Sequence, residues 1–217
     1  MNEKDCEAML NKASNYESQA TATVAGQEFI EKAADKLKEA GDCYFKFKNY
    51  KMALQCYSKA RELHKKINYP VSVAMDSECI AKCHHTLGNM GDFKKHMQEA
   101  AEIYASQAQK MTTAGNLMSA ALLYSEAAIA YNALANPDAF KKFLELAAQN
   151  YQEYAEMMLE EQDYSYAVAN LAWASMCYFA ISNIDDAIKY SNKALKLCEN
   201  NNIKDDNYVL ACLSKHI

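Results

Sequence analysis

Ala40-Gly41-Asp42-Cys43-Tyr44-Phe45-Lys46-Phe47-Lys48-Asn49-Tyr50-Lys51-Met52-Ala53, continued by Tyr57 and Ala60, is the stretch whose reading decides the fold. Leu37, Ala40, Tyr44 and Phe47 recur at the spacing of one helical face until Asn49, and Tyr50, Ala53, Leu54, Tyr57, Ala60 and Leu63 resume it afterwards. The stretch therefore reads as a helix, a tight turn and a second helix returning against the first. Small residues such as Ala53 and Ala60 let the helices approach closely. Tyr44 and Tyr57 fill the space between hairpins and keep a hydroxyl within reach of a polar partner.

Working outward, Met9, Leu10, Ala13 and Tyr16 predict a leading helix over residues 5–22, followed by a flexible connection over residues 21–26. Hairpins follow over about 27–67, 71–113, 116–159 and 163–200, and a short closing helix is expected over 205–216. Gly88 and Gly91 are natural helix-end residues, and Pro137 suits the first turn of a helix.

Laid over one another, the segments repeat. Cys43-Tyr44, Cys83-His84, Ala130-Tyr131 and Cys177-Tyr178 share a position, and the turn asparagines 49, 89, 136 and 183 stand 40, 47 and 47 residues apart. Hairpins that cannot bury their own apolar face must stack. The pattern predicts a single all-α domain over residues 1–217, a right-handed superhelix of stacked antiparallel helical hairpins.

Composition agrees and excludes several functions. Five Gly and two Pro in 217 residues are too few for a loop-rich or sheet-rich fold. A net charge of −5 with scattered basic residues gives no concentrated footprint for nucleic acid. The longest apolar runs, such as residues 167–174, are too short for a transmembrane segment, so membrane association is expected only through partners. Residues 1–5 are charged and lead into no apolar signal core, which predicts a cytoplasmic chain. In that compartment Cys43, Cys56, Cys79, Cys83, Cys177, Cys198 and Cys212 are expected as reduced thiols, several of them packed as small hydrophobes.

Gly41, Tyr44, Tyr50, Ala53, Tyr57 and Ala60 resemble the tetratricopeptide motif, and Gly115, Ala120, Tyr124 and Ala127 echo it. The longer period, with Cys-Tyr pairs and Ala-rich segments such as Lys32-Ala33-Ala34, is similar to the soluble NSF attachment proteins and the SNAP-like huntingtin-associated protein over roughly residues 27–200. That resemblance implies a SNAP-like α-solenoid serving as an adaptor or scaffold. It also implies an alternative role in SNARE disassembly and vesicle transport.

Catalytic motifs are lacking: there is no glycine-rich phosphate loop, no Gly-x-Ser-x-Gly elbow and no His-Glu-x-x-His pair. No enzyme activity, cofactor or metal is expected. Cys79, Cys83, His84 and His85, with His96 across the next turn, form the one suggestive cluster. They supply the alternative of a metal-binding or enzymatic protein, although Cys83-His84 also fills a packing position of the repeat. If the first helix of each hairpin lines a concave face, as tetratricopeptide-like register implies, that face presents Asp42, Phe45, Lys46, then Lys82 and His85, then Ile129 and Asn132, then Met176 and Phe179. Phe45, Met176 and Phe179 are the anchor candidates for a protein partner, either a helical segment or a larger scaffold protein, with Lys46 and Lys82 selecting against basic partners. Ordinary core packing competes as a reading of the same rings.

Overall fold

The computed structural model describes residues 3–22 and 26–203. Among them are nine α-helices and no strand: α1 Glu3–Ala22, α2 Gly26–Lys46, α3 Tyr50–Lys66, α4 Pro70–Thr86, α5 Met90–Thr113, α6 Leu117–Ala133, α7 Pro137–Glu160, α8 Tyr164–Ala180 and α9 Ile184–Asn201. The four hairpins stand where the periodicity predicts them. Of the connection expected over residues 21–26, positions 21, 22 and 26 belong to α1 and α2, and residues 23–25 lie outside the described residues. Gly91 lies inside α5 rather than in a turn. The closing helix expected over 205–216 lies outside the described residues.

One connector is used seven times. After each of α2 to α8 the chain makes a three-residue link whose middle residue has positive φ: Lys48, Asn68, Gly88, Gly115, Ala135, Gln162 and Ser182. In every case two backbone bonds close the helix end. Asn49 N–H reaches Tyr44 O at 2.9 Å and Lys48 N–H reaches Phe45 O at 2.9 Å, and the same pair recurs as Asn183 to Tyr178 and Ser182 to Phe179. This is the Schellman closure, which satisfies the last carbonyls of one helix while the third link residue opens the next. Asn49, Asn136, Asp163 and Asn183 complete the link by accepting, through their side chains, the amides of Met52, Ala139, Tyr166 and Asp186.

The unequal period now has a cause. Helices α3, α4, α6 and α8 have 17 residues, while α5 and α7 have 24. The additional seven residues make two turns to within about 20°. The longer helices thus keep the same face buried.

Only two of the seven positive-φ positions are glycine, and an L side chain there costs roughly 1 kcal/mol. Ala135→Gly is accordingly expected to stabilise the protein by about 1 kcal/mol, read as a higher urea midpoint at unchanged slope. Asn68→Gly should gain less, since asparagine tolerates this conformation.

The chain divides into two compact units, Met1–Ile103 and Tyr104–Ile217. In the first, Ala40, Cys43, Tyr44, Ala53, Cys56, Tyr57, Ile80 and Cys83 form a core with Cys6, while Ala13, Ala34, Leu37 and Ala60 form a smaller one. Gly41 marks a close α2–α3 approach: a Cβ built on it would stand 2.6 Å from the Tyr57 ring. In the second unit, Ala108, Ala120, Ala121, Tyr124, Ala128, Leu144, Ala147, Tyr151, Ala174 and Tyr178 pack together, and Val168, Leu171 and Ala194 belong to a neighbouring cluster.

The expectation of uniformly reduced cysteines is overturned at one place, where Cys6 of α1 is disulfide-bonded to Cys43 of α2. Two helices packed side by side bring these distant positions together. Cys56, Cys79, Cys83, Cys177 and Cys198 are free thiols.

Candidate partner-binding face

The second unit carries a helix surface of unusual composition. Helix α8 contains no Asp, Glu, Lys or Arg, and α6 contains only Glu126. Such helices would be expected to vanish into a core. Yet Leu122 and Ile129 on α6, and Tyr166, Trp173, Met176 and Phe179 on α8, remain 38–57% exposed. Leu122 and Ile129 lie seven residues apart on one stripe, with Ser125 and the exposed Glu126 between them. Tyr166, Trp173 and Met176 follow the same spacing on α8.

The two helices come near one another beneath these stripes, beside Tyr151 of α7. Ser125 of α6 lies beside the Cys177 thiol of α8 and the Tyr151 hydroxyl of α7 while its own hydroxyl donates to Ala121 O at 3.0 Å, and the Tyr151 ring stacks on Trp173 at 6.4 Å between centroids. Burial pushes the Cys177 thiol up to about 12 and the Tyr151 phenol to about 12, so the floor between the stripes is uncharged at neutral pH. Glu126, exposed on α6 and near enough to Tyr151 to help raise its phenol, is the charge carried by α6 on a face that otherwise offers hydrophobic contact.

The expected site residues fall into two groups. In the second unit, Ile129, Asn132, Met176 and Phe179 are all exposed; Ile129, Met176 and Phe179 belong to the apolar surface. In the first unit, Asp42, Lys46, Lys82 and His85 are exposed, and three of them are engaged. Asp42 accepts the Tyr57 hydroxyl at 2.7 Å and pairs with Lys38 at 3.2 Å, Lys82 pairs with Glu78 at 2.7 Å, and His85 meets the edge of Phe93 at 5.1 Å. Phe45 is half-buried, its ring against Tyr50 at 5.3 Å and against the core. The sequence reading did not single out Leu122, Tyr166 or Trp173. The signal for them was available in the absence of charge along α8, which no position-by-position repeat alignment registers.

The cysteine–histidine cluster is divided by its helix. Cys83 is buried in the core of the first unit and Cys79 packs against it, whereas His85 is exposed. His84 stacks on His96, with ring centroids 5.7 Å apart. Among the described residues no three His, Cys, Asp or Glu side chains stand together in a metal-holding arrangement, and no helix is long and apolar enough to cross a membrane.

A buried polar network in the first unit was also not anticipated. His64 Nδ1 and Asp76 Oδ2 share a hydrogen bond at 2.6 Å, with both side chains essentially inaccessible. Arg61 donates to Ser77 Oγ at 2.8 Å and to the Glu99 carboxylate. Burial pushes the Asp76 carboxyl above its ordinary range, against the hydrogen bond and charge of His64. Burial opposes the charge on Glu99 as well, but Arg61 prevails and holds that carboxyl below its ordinary value. These bonds tie α3 to α4 and α5, and Asp76 Oδ1 alone of that carboxyl is left without a hydrogen-bond partner.

No protein-family model matches the chain, and no curated protein matches its sequence. Solved structures align with it over most of its length. BtubC from P. vanneervenii is 13% identical, with 93% of this chain and 94% of that one covered and a TM-score of 0.35. MamA protein is 12% identical, with 93% and 96% covered and a TM-score of 0.40. The signal transduction ATPase PH0952 from Pyrococcus horikoshii, described as having a tetratricopeptide repeat sensor, is 20% identical, with 98% of this chain but 34% of that one covered and a TM-score of 0.41. At this level of likeness no activity or partner carries over.

Proposed function

We propose that this chain is a non-catalytic protein-interaction adaptor that holds an apolar segment of a partner protein against α6 and α8. The observation that carries the reading is the exposure of Leu122, Ile129, Tyr166, Trp173, Met176 and Phe179 on helices that together hold one charged residue. A patch of this kind on a polar molecule marks a contact surface. Its partner is a helix or extended segment presenting aliphatic and aromatic anchors, with Asn132 as a polar contact at the rim. Asp42, Phe45, Lys46, Lys82 and His85 of the first unit are proposed as further, more polar contacts. The cytoplasmic and vesicle-transport parts of the SNAP-like resemblance belong to the same proposal, and the identity of the captured partner decides them.

The test is affinity capture with quantitative mass spectrometry, comparing the wild-type chain with Trp173→Ala/Met176→Ala. Both side chains are substantially exposed, so the variant should fold with an unchanged circular dichroism spectrum. Proteins retained by the wild type are expected to fall at least tenfold in the variant, the size expected for anchors worth 1–2 kcal/mol each. Undiminished capture by the folded variant would overturn the reading.

A further inference from the structure

Helix α1 is attached differently from the other helices. Among its residues with described side chains only Cys6 and Ala13 are buried, and Cys6 is bonded to Cys43. It also packs along the length of α2 and reaches α3. Met9 and Leu10 rest on the core edges, Tyr16 stacks on Phe29 at 6.3 Å, and Glu17 pairs with Lys59 at 2.5 Å. Beneath it lies an apolar strip formed by Ala34, Leu37, Ala60 and Leu63 of α2 and α3. The covalent link closes a separation of 37 residues, long enough that losing it frees much chain entropy.

The link also sits among other thiols. Cys56 and Cys83 belong to the same buried cluster and Cys79 packs against it. Only a thiolate attacks a disulfide, and burial pushes these three thiols up to about 11, about 12 and about 11 respectively. At neutral pH roughly one molecule in 10⁴ carries any of these thiolates, so internal exchange is suppressed and the Cys6–Cys43 pairing persists until an external thiol arrives.

We propose that α1 is a redox latch: the Cys6–Cys43 disulfide holds it over the α2–α3 strip, and reduction releases it and uncovers that strip. The reductant is a dithiol, either a small molecule or a protein of the Cys-x-x-Cys class. Both cysteines are buried, so attack follows transient opening of α1: one thiolate of the reductant then attacks a sulfur of the bond to form a mixed disulfide, and its second thiol displaces the remaining protein sulfur. The dithiol leaves as a disulfide, and Cys6 and Cys43 each gain one electron and one proton. The surface uncovered is narrow and lined by small residues, with Lys59 at its margin, and suits a helix carrying small apolar residues and an acidic side chain, as α1 itself does. The latch lies in the first unit and is independent of the α6–α8 face.

Disulfide mapping and hydrogen exchange on the full chain test it. After thiol blocking, the Cys6 and Cys43 peptides should be recovered linked. Dithiothreitol should raise amide exchange across residues 3–22 at least tenfold and make Cys43 alkylatable, while residues 50–66 keep their protection. Cys6→Ser should reproduce the fast exchange without reductant. Recovery of both cysteines as free thiols after incubation with oxidised glutathione overturns the proposal, as does unchanged α1 exchange on reduction. Equal deprotection of residues 50–66 also overturns it, because the bond would then be a staple of the whole unit.

Discussion

His64→Ala is expected to destabilise the protein by roughly 3–5 kcal/mol, because it strands a buried carboxyl without its hydrogen-bonding partner. Asp76 is inaccessible, Oδ2 lies 2.6 Å from the His64 ring, and Oδ1 has no hydrogen-bond partner. The remaining nearby positive charges, Lys38 and Arg61, act at longer range. The loss should depend on pH with a definite sign. Burial raises the Asp76 carboxyl above its ordinary 3.8, so the fold favours its neutral form. That contribution is fully present below the unfolded value and is lost as pH rises through the folded one. Without His64 the folded value rises further, so the gap between variant and wild type should widen from pH 4 to pH 7. Urea unfolding at the two pH values checks this. Replacing both residues, as in His64→Phe/Asp76→Leu, should recover much of the loss, since an apolar pair of comparable size leaves no orphaned polar group. Equal midpoints for wild type and His64→Ala at pH 7 would show that the pair contributes nothing.

The same pair shows where sequence and structure part. Helical hairpins were legible because Ala40, Tyr44, Ala53, Tyr57 and Ala60 each occupy a position that only packed helices require, and because Asn49, Asn89, Asn136 and Asn183 mark alternate connectors. The intervening connectors end in Tyr69, Asn116 and Asp163, so their shared backbone was hidden by different chemistry. Positive φ fell on Lys48, Ala135 and Gln162, none of which announces it. Tyr124 was recognised as a motif residue but given the wrong partner glycine. Gly115 is a turn residue at φ 77 with open space beside it. The true counterpart of Gly41 is Ala108, packed in the same core as Tyr124. Tyr57 donates to Asp42 and Tyr124 to Gln109, in each case fifteen residues back along the chain.

Asp76 could have been found, since it shares the buried face with Val73, Ala74, Ser77 and Ile80 in a stretch otherwise apolar around it. His64, followed by Lys65 and Lys66, reads as part of a solvated basic end. The Cys6–Cys43 bond had no local signal at all, because it depends on two helices lying side by side. Exposure of the α6 and α8 stripes was half legible: the spacing of Met176 and Phe179 identified a face, but only packing decides whether that face is covered.

Gly41→Val is expected to cost about 3 kcal/mol or more, although helix propensity alone predicts a small gain from removing a mid-helix glycine. The close approach decides the sign. A Cβ at position 41 would meet three atoms of the Tyr57 ring at 2.6, 2.7 and 2.9 Å, and valine adds two methyl groups beyond it. The ring cannot swing aside, because it is buried and its hydroxyl is held by Asp42 at 2.7 Å. Gly41→Ala meets the same contacts with less bulk and should cost about 1–2 kcal/mol net of its propensity gain. A double-mutant cycle separates the two terms. Tyr57→Ala empties the space over Gly41 at its own cost of about 3–5 kcal/mol, and in that background Gly41→Ala should become neutral or stabilising by up to about 1 kcal/mol. Chemical denaturation of the four proteins gives the coupling directly, and a coupling near zero would mean that Gly41 is not placed for close approach to Tyr57. A substitution that changes sign with the residue facing it reports helix packing rather than helix propensity, and it does so at the hairpin from which the fold can be read.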